Sequence, residues 1–231
     1  MLTKDDLLRK ELLSQYFHDI LSRNIVNRYK VKDVDKLESL ALFYCSNFTS
    51  KYSFNKIKRV IDFSLSLDSI HRFSRYLKNT FLIDFLPRFS YPLKNQMQTE
   101  RKVYFVDNGM HDVVTFKFSK DKGKLLENAV FCHLKRQKKE VYYFQEKQEV
   151  DFVLKQGLEI IEIINVCYNL EDKETLIRET SALLEAMRYF NLKESKLIIA
   201  EGDAKEIVKD DFIIQIIPFY QWVLINSCQK S

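Results

Sequence analysis

The sequence predicts an α/β protein with a helical, winged-helix-like N-terminal region and a C-terminal α/β/α domain built on a mixed central sheet. Apolar residues recur at helical spacing through most of residues 1–80. After Lys122 the pattern changes to helix, three strands, helix and strand, with alternating apolar residues in the strands. We therefore expect two domains, over residues 1–110 and 111–231.

Composition limits the classes to which the protein can belong. The 231 residues are 46% apolar and 30% charged, which suits a chain that buries a core and remains in water. No uncharged run has the length of a membrane span, and the N-terminus lacks a signal-peptide layout. The four cysteines are far apart and form no CxxC pair, which argues against structural zinc. We expect a cytoplasmic protein with free thiols and no membrane contact.

Charge is distributed unevenly along the chain. The net charge is +5, but residues 1–95 carry 17 Lys and Arg against 10 Asp and Glu, whereas residues 96–231 carry 20 against 22. An anionic partner would therefore bind the N-terminal part, although an ordinary solvated surface could also produce this bias.

Two short helices in the N-terminal part have the outline of a helix-turn-helix. Residues 3–30 and 35–48 are predicted to form earlier helices, and residues 54–63 a short one with Ser53 as its N-cap. Asp68 is the expected cap of the next helix, residues 69–79. The outer face of that helix is basic, with His71, Arg72, Arg75 and Lys78.

The segment after these helices predicts a β-hairpin wing. Residues 81–89 read as extended, residues 91–96 as a turn and residues 102–106 as a returning strand. Lys94, Arg101 and Lys102 would lie near its tip or edge. The module therefore indicates DNA contact, although helical hairpins with basic surfaces also occur without binding DNA.

The C-terminal part is organised around a second hairpin. Two alternating apolar runs, residues 150–154 and 158–166, flank the turn signal at Gly157. Asp151 lies inside the first run, where a carboxylate is costly unless it is paired, hydrogen-bonded or bound to a metal. A strand with a wet face is the alternative explanation.

The remaining elements complete the predicted α/β/α domain. A helix over residues 124–138 carries Glu127 beside its apolar stripe, from where it can reach the sheet. A long helix is expected at 173–189, a helical turn at 204–208, and further strands at 141–145, 196–200 and 212–217.

In this order, with Glu127 on the first helix and Asp151 in the second strand, the chain resembles the restriction-endonuclease-like PD-(D/E)xK fold. More narrowly, it resembles the C-terminal region of AAA-type archaeal and bacterial ATPases, which ends in a domain of unknown function. The motifs that carry the resemblance are Tyr16-Phe17-His18-Asp19-Ile20, Tyr104-Phe105-Val106-Asp107-Asn108-Gly109-Met110, Gly123-Lys124-Leu125-Leu126-Glu127-Asn128, Glu149-Val150-Asp151-Phe152, Ile164-Asn165-Val166-Cys167-Tyr168 and Arg178-Glu179.

The chain differs from that family in having no P-loop. Its four glycines stand at 109, 123, 157 and 202, so the motif GxxxxGK[ST] does not occur in the sequence. The glycine-rich loop that would bind the phosphates of ATP is therefore absent from these residues. We therefore expect a family member that begins after the ATPase core and does not hydrolyse ATP by itself, whether its gene is truncated, split or complete. A separate P-loop ATPase or another protein is an expected partner.

The second difference concerns nuclease chemistry. The resemblance implies a site in which Glu127 and Asp151 hold Mg²⁺ or Mn²⁺ together with a Glu-x-Lys motif on the third strand. Asn165 and Cys167 stand at the positions of that Glu and Lys. An amide is a weaker Mg²⁺ ligand than a carboxylate, and a thiol cannot replace an ammonium group. We therefore expect a degenerate site and no cofactor, unless the remaining carboxylates still bind metal.

Three functional hypotheses follow from these observations. The chain could be a nucleic-acid-binding module, a module that docks onto an ATPase or another protein, or a metal-dependent DNA nuclease. The first two are favoured because the Glu-x-Lys motif is lost. The sequence does not indicate an oligomeric state.

Overall fold

The predicted α/β class is confirmed in the computed structural model, which describes residues 6–61, 65–92, 96, 99–114 and 121–228. These described residues form eight α-helices, a mixed six-stranded sheet and a small antiparallel sheet. They divide into two compact units, one within residues 1–85 and 100–120 and the other within residues 86–99 and 121–231. Within the described part, no helix combines the length and the apolar character needed to cross a membrane.

The first unit begins with helices. Helix α1 spans Asp6–Asp19, a π-helical segment follows over Ile20–Asn27, and α2 spans Val34–Ser46. The sequence predicted one continuous helix over residues 3–30, which cover α1 and the π-helical segment. The apolar spacing does not distinguish the two helical geometries, since Leu21 and Ile25 are buried as an amphipathic helix would require.

The helix pair of the first unit resembles its prediction, apart from one cap. Helix α3 spans Phe54–Ile61, and the Ser53 hydroxyl accepts a hydrogen bond from the Lys56 N–H, as expected of an N-cap. Helix α4 spans Leu67–Asn79 and begins two residues earlier than predicted. Its N-cap is Ser66, whose hydroxyl accepts a hydrogen bond from Ser69 N, so the expectation of Asp68 as the cap was wrong.

A small sheet and a short helix complete the first unit. The strands are β1 (Lys51–Tyr52), β2 (Ile83–Pro87) and β3 (Arg101–Phe105), in the order β1-β3-β2, and helix α5 spans Asn108–Val114. The buried face of α4 carries Ile70, Phe73 and Leu77, which leaves its basic residues on the outside.

The connection between β2 and β3 belongs to the second unit. The Phe89 N–H donates to the Tyr143 carbonyl over 2.7 Å, and the Phe89 ring is 5% exposed within the core of that unit. The sequence predicted a wing tip in this segment. Residues 88–92 instead pack on the second unit, because Phe89 contributes an aromatic ring to its core.

The second unit contains the six-stranded sheet. In chain order its elements are α6 (Lys122–Arg136), β4 (Glu140–Gln145), β5 (Glu149–Gln156), β6 (Glu159–Cys167), α7 (Lys173–Phe190), β7 (Glu194–Ile199), β8 (Lys205–Lys209), β9 (Phe212–Pro218) and α8 (Phe219–Cys228). The strand order is β4-β5-β6-β7-β9-β8. The pairs β6–β7 and β7–β9 are parallel and the others antiparallel, which makes the sheet mixed.

Helices cover both faces of this sheet, because alternate residues of a strand point to opposite sides. Val153 packs in one cluster with Leu183 of α7. Its neighbour Phe152 points the other way and contacts Phe131 of α6, with ring centroids 6.4 Å apart. Trp222 of α8 lies against α6 on the same side. The three-layer arrangement is therefore present in this unit.

One element of the second unit was wrong in the sequence prediction. Residues 204–208 were expected to form a helical turn, but Lys205–Lys209 is strand β8, paired antiparallel with β9. Its β-branched Ile207 and Val208 favour a strand. The tight turn is made by Asp210, which adopts φ 54°.

Candidate functional site

The side chains of Asp151 and Asn165 accept backbone hydrogen bonds across the two strands where the β5–β6 ladder ends. The last paired residues in the register are Phe152 and Ile164. Beyond them the Asp151 N–H donates to Asn165 Oδ1 over 3.1 Å, and the Val166 N–H donates to Asp151 Oδ2 over 2.9 Å. Side-chain oxygens thus replace backbone carbonyls as acceptors. The carboxylate in the strand therefore has a structural role, whatever else it does.

Asn165 also connects the sheet to helix α7. Its Nδ2 donates to Glu179 Oε2 over 2.8 Å, and the other oxygen of Glu179 accepts from the Arg178 guanidinium over 2.8 Å. The Asn165 side chain is 1% exposed, so both of its polar atoms are satisfied inside the protein. A chain of polar contacts therefore runs from β5 through β6 to α7.

The Glu179 carboxyl lies in an environment that disfavours its charge. Burial raises its pKa above the ordinary glutamate value, and the negative charge of Asp151 acts in the same direction. Hydrogen bonds from Arg178 and Asn165 oppose this increase in pKa. Burial and Glu179 also raise the pKa of the Cys167 thiol, which does not favour a reactive thiolate there.

A cavity of about 420 Å³ opens beside this chain of contacts, and we call it the carboxylate pocket. Its wall includes Glu127, Asp151, Asn165, Glu179, Lys124 and Arg178. Three of the four residues predicted for the remnant nuclease site therefore meet at one cavity. The fourth, Cys167, is 8% exposed in the core cluster against α7, and its thiol donates to the Asn169 carbonyl.

The carboxylate pocket does not fit the metal centre that the resemblance implies. Among the described residues, no group of three or more His, Cys, Asp or Glu side chains could hold a metal ion. Asn165 Oδ1, the oxygen at the position of the missing carboxylate, already accepts the Asp151 N–H. One Asp151 oxygen accepts the Val166 N–H. These groups support the local fold, and we derive no metal-dependent step from them.

A second cavity, of about 370 Å³, lies in the first unit, and we call it the basic cleft. Its wall comprises Phe54, Asp68, His71, Arg72, Ser74, Arg75, Lys78, Phe85 and Arg101. Helix α4 supplies six of these nine residues, and Arg101 comes from β3. Five of the seven residues predicted to bind nucleic acid thus line one cleft.

Carboxylates and an aromatic ring hold the cationic side chains of the basic cleft. Lys78 Nζ lies 2.9 Å from Asp84, and the Arg72 guanidinium lies 3.6 Å from Asp68. Arg101 lies 5.7 Å from the centre of the Phe54 ring. The Arg72–Asp68 pair is exposed on both sides, and such pairs are weak, so a phosphate could displace it.

The other two residues predicted to bind nucleic acid are not part of the basic cleft. Lys102 lies next to Arg101 in β3, where successive side chains point to opposite faces, and it is 2% exposed. Lys94 lies outside the described residues.

Comparison with known proteins gives a family for the chain. A family model described as "Domain of unknown function (DUF8612)" matches residues 2–120, just over half of the chain. The chain belongs to the DUF8612 family. A second model, "Domain of unknown function (DUF4143)", matches residues 122–222. The DUF8612 match thus contains the basic cleft, and the DUF4143 match contains the carboxylate pocket except for Asp121.

Two curated relatives of this DUF8612 chain bear the description "Uncharacterized protein". The chain is 29% identical to a protein of Methanocaldococcus jannaschii, covering 96% of this chain and 52% of that protein. It is 28% identical to a protein of Haemophilus influenzae, covering 95% and 54%. The chain therefore spans about half the length of the curated relatives it matches.

One solved structure resembles the chain distantly. It is the Thermococcus gammatolerans assembly of McrB AAA+ hexamers with bound McrC, matched at 12% identity and a TM-score of 0.36. The match covers 78% of this chain and 46% of that one. A likeness at this TM-score does not establish a shared fold.

Sequence reasoning gave no role to two residues that complete these sites in the DUF8612 chain. Glu179 stands within the apolar stripe of α7, three residues after Leu176 and four before Leu183. A carboxylate in such a stripe is a signal of a buried polar contact. Phe54 begins α3 and lines the basic cleft, but an aromatic residue at a helix start gives no comparable signal.

Proposed function

We propose that the chain is a nucleic-acid-binding module that contacts phosphates through the basic cleft. The observation that carries this proposal is the convergence of Arg101 on the cleft lined by Arg75, Lys78 and other basic residues of α4. Arg101 is distant from α4 in the chain, so the fold rather than the sequence brings the charges together. Opposed cationic side chains are the usual means of binding phosphate.

The order of the surrounding elements also supports the proposal. A helix, a short strand, two helices and two further strands follow one another from α2 to β3, and the small sheet has the order β1-β3-β2. This order is compatible with a winged helix in which α4 is the recognition helix.

The test is duplex DNA affinity at two salt concentrations. Contacts with three or four phosphates should weaken binding by about 40- to 150-fold between 50 and 200 mM salt. Arg75→Gln should weaken binding and reduce the salt dependence by about one phosphate contact. Arg59→Gln is the matched control, because Arg59 is exposed in the same unit but does not line the basic cleft.

Two results would contradict the proposal. Weak binding that does not change with salt would exclude phosphate contacts. Equal losses in Arg75→Gln and Arg59→Gln would assign binding to the general charge of the unit instead of the basic cleft. Thermal unfolding of both variants shows whether either loss results from misfolding.

Cleavage of nucleic acid stays a prediction from the resemblance. Glu127 and Asp151 do line one pocket with Lys124 and Arg178. The pocket does not fit a metal centre, however, and this is why we do not propose nuclease activity. Incubation of plasmid with Mn²⁺ tests whether the chain cleaves DNA. Cleavage by the wild type that Asp151→Ala abolishes would show nuclease activity at this pocket.

Protein docking is a second candidate, favoured by the last helix. Tyr220, Leu224 and Ile225 are each more than half exposed on α8, while Trp222 is buried. An apolar face of this kind suits contact with another protein, such as a P-loop ATPase or a second copy. Light scattering of the chain, alone and with a purified ATPase, should detect an assembly that Leu224→Lys abolishes. Val208→Lys, on exposed strand β8, is the control.

A further inference from the structure

The shape of the basic cleft distinguishes between kinds of phosphate. Its wall is formed by the start of α3, one side of α4, and residues of β2 and β3, so it is concave on several sides. Phosphates inside a duplex lie along a continuous backbone, and each of them is flanked by sugars on both sides. A concave cleft of about 370 Å³ better accommodates a group that protrudes, such as the end of a strand.

The charge of the basic cleft also favours a strand end. Four of its wall residues are Lys or Arg, namely Arg72, Arg75, Lys78 and Arg101. Asp68 is the one carboxylate among the described wall residues, and Lys78 also pairs with Asp84 beside the wall. A phosphate monoester carries about −1.5 to −2 at pH 7, compared with about −1 for the diester inside a strand. Two guanidinium groups can each make paired hydrogen bonds to its terminal oxygens.

Apolar groups next to these charges fit the rest of a nucleotide. Phe54 and Phe85 belong to the wall, and the Phe54 ring lies 3.9 Å from the centre of the His71 ring. Aromatic rings beside cations are the surfaces on which nucleic-acid bases stack. The cleft therefore combines a phosphate-binding side with surfaces for a sugar or base.

The floor of the basic cleft is fixed by buried hydrogen bonds. Ser74 is 2% exposed, its hydroxyl donates to the Ile70 carbonyl, and it is bonded to the Tyr44 hydroxyl over 2.7 Å. Both groups are thus satisfied before any ligand binds. A pre-formed floor lowers the entropic cost of binding a small group.

One described residue of the predicted wing, Phe89, packs in the second unit. The connection between β2 and β3 belongs to the second unit, where Phe89 is part of the core. Phe89 therefore contributes to the core of the second unit and not to the wall of the basic cleft.

We propose that the basic cleft binds a nucleoside phosphate monoester, the group found at the 5′ end of a nucleic-acid strand. Arg75 and Arg101 bind the phosphate oxygens, and Phe54 contacts the adjoining sugar or base. This inference rests on the proposed function, because it specifies which phosphate the cleft binds.

The experiment compares two blunt duplexes of identical sequence, one with 5′-phosphates and one with 5′-hydroxyls. The whole chain should bind the phosphorylated duplex at least about tenfold more tightly, the contribution of one charge-assisted hydrogen bond. Arg101→Gln and Arg75→Gln should each reduce this preference to near unity, whereas Arg59→Gln should retain it. Free deoxyadenosine 5′-monophosphate, added as a competitor, distinguishes the two possible sources of the phosphate monoester, a free mononucleotide and the 5′ end of a strand. Competition at concentrations similar to the duplex indicates a mononucleotide ligand, and competition only at far higher concentrations indicates a strand end.

Equal affinity for the two duplexes would overturn this inference. If that common affinity still fell in Arg75→Gln but not in Arg59→Gln, the proposed function would stand and the cleft would bind internal phosphates. A preference that survives both cleft substitutions would also overturn the inference, since another surface would then bind the end. Failure to bind either duplex would remove both proposals together.

Discussion

The Asn165 amide donates a 2.8 Å hydrogen bond to the Glu179 carboxylate, and this contact ties the central sheet to helix α7. The other side of the same amide accepts the Asp151 N–H. Asn165 is suited to this position because it is a donor and an acceptor at once, which a carboxylate is not. The residue that replaces the expected metal ligand therefore stabilises the structure around it.

Asn165→Ala tests this role directly. The substitution leaves the Asp151 N–H and a Glu179 oxygen without their partners in a buried place, and each loss costs about 1–3 kcal/mol. We expect the free energy of unfolding to fall by about 2–4 kcal/mol. Urea denaturation measures the difference. Asn169→Ala, which removes an exposed amide bonded to Glu171, should cost far less. Similar losses in both variants would contradict the role assigned to Asn165.

Glu179→Gln should change how stability depends on pH. Because burial raises the pKa of Glu179, the folded protein holds this proton more tightly than the unfolded chain does. As pH rises from the ordinary glutamate value of 4.5, the unfolded chain ionises first and the wild type loses stability until the folded carboxyl has also ionised. Gln does not titrate, so the stability of the variant relative to wild type should increase with pH. Urea denaturation between pH 4 and pH 8 measures this change. Glu201→Gln, at an exposed position, is the control, and a constant difference between wild type and Glu179→Gln would contradict the expectation.

Much of the second unit could be predicted because its signals are local. The alternation of residues 150–154 and 158–166, together with Gly157, is sufficient to define the β5–β6 hairpin. The register cannot be obtained in this way, because it includes a bulge between Leu154 and Lys155. The resemblance located Glu127, Asp151 and Asn165, and these residues do meet at one pocket.

Gly157→Ala tests the turn of that hairpin. Gly157 adopts φ +63°, and a Cβ atom there would meet nothing within 4 Å, so the cost is one of backbone conformation alone. We expect a loss of about 1 kcal/mol in the free energy of unfolding. Gly157→Asn should recover part of it, since Asn tolerates this region. Gly123→Ala is the control, because Gly123 lies in the first turn of α6 without a positive φ, and Ala should be neutral or stabilising there. A loss at position 123 as large as that at 157 would exclude the conformational explanation.

The remaining features depend on contacts between residues distant in sequence. Arg101 joins the basic cleft because β3 pairs within the small sheet beside α4, and no local pattern around residue 101 specifies that neighbour. Phe89 was assigned to a wing because the extended pattern around it is the same for either location. The predicted N-cap of α4 was wrong because Ser and Asp are both favourable N-cap residues. Only the backbone geometry selects Ser66 over Asp68.

Asp68→Asn connects this corrected cap to the proposed function. Asp68 lines the basic cleft and lies 3.6 Å from the Arg72 guanidinium, so it competes with a bound phosphate for that cation. Removing its charge should tighten duplex binding a few-fold at 50 mM salt and less at 200 mM, because salt screens exposed charges. The helix should still form, since Ser66 provides the N-cap, although loss of an acidic residue in the first turn of α4 costs about 0.3–1 kcal/mol. Asp33→Asn makes the same charge change in the first unit, where Asp33 pairs with Lys36 away from the cleft. An equal increase in affinity in both variants would mean that the basic cleft is not where phosphate binds.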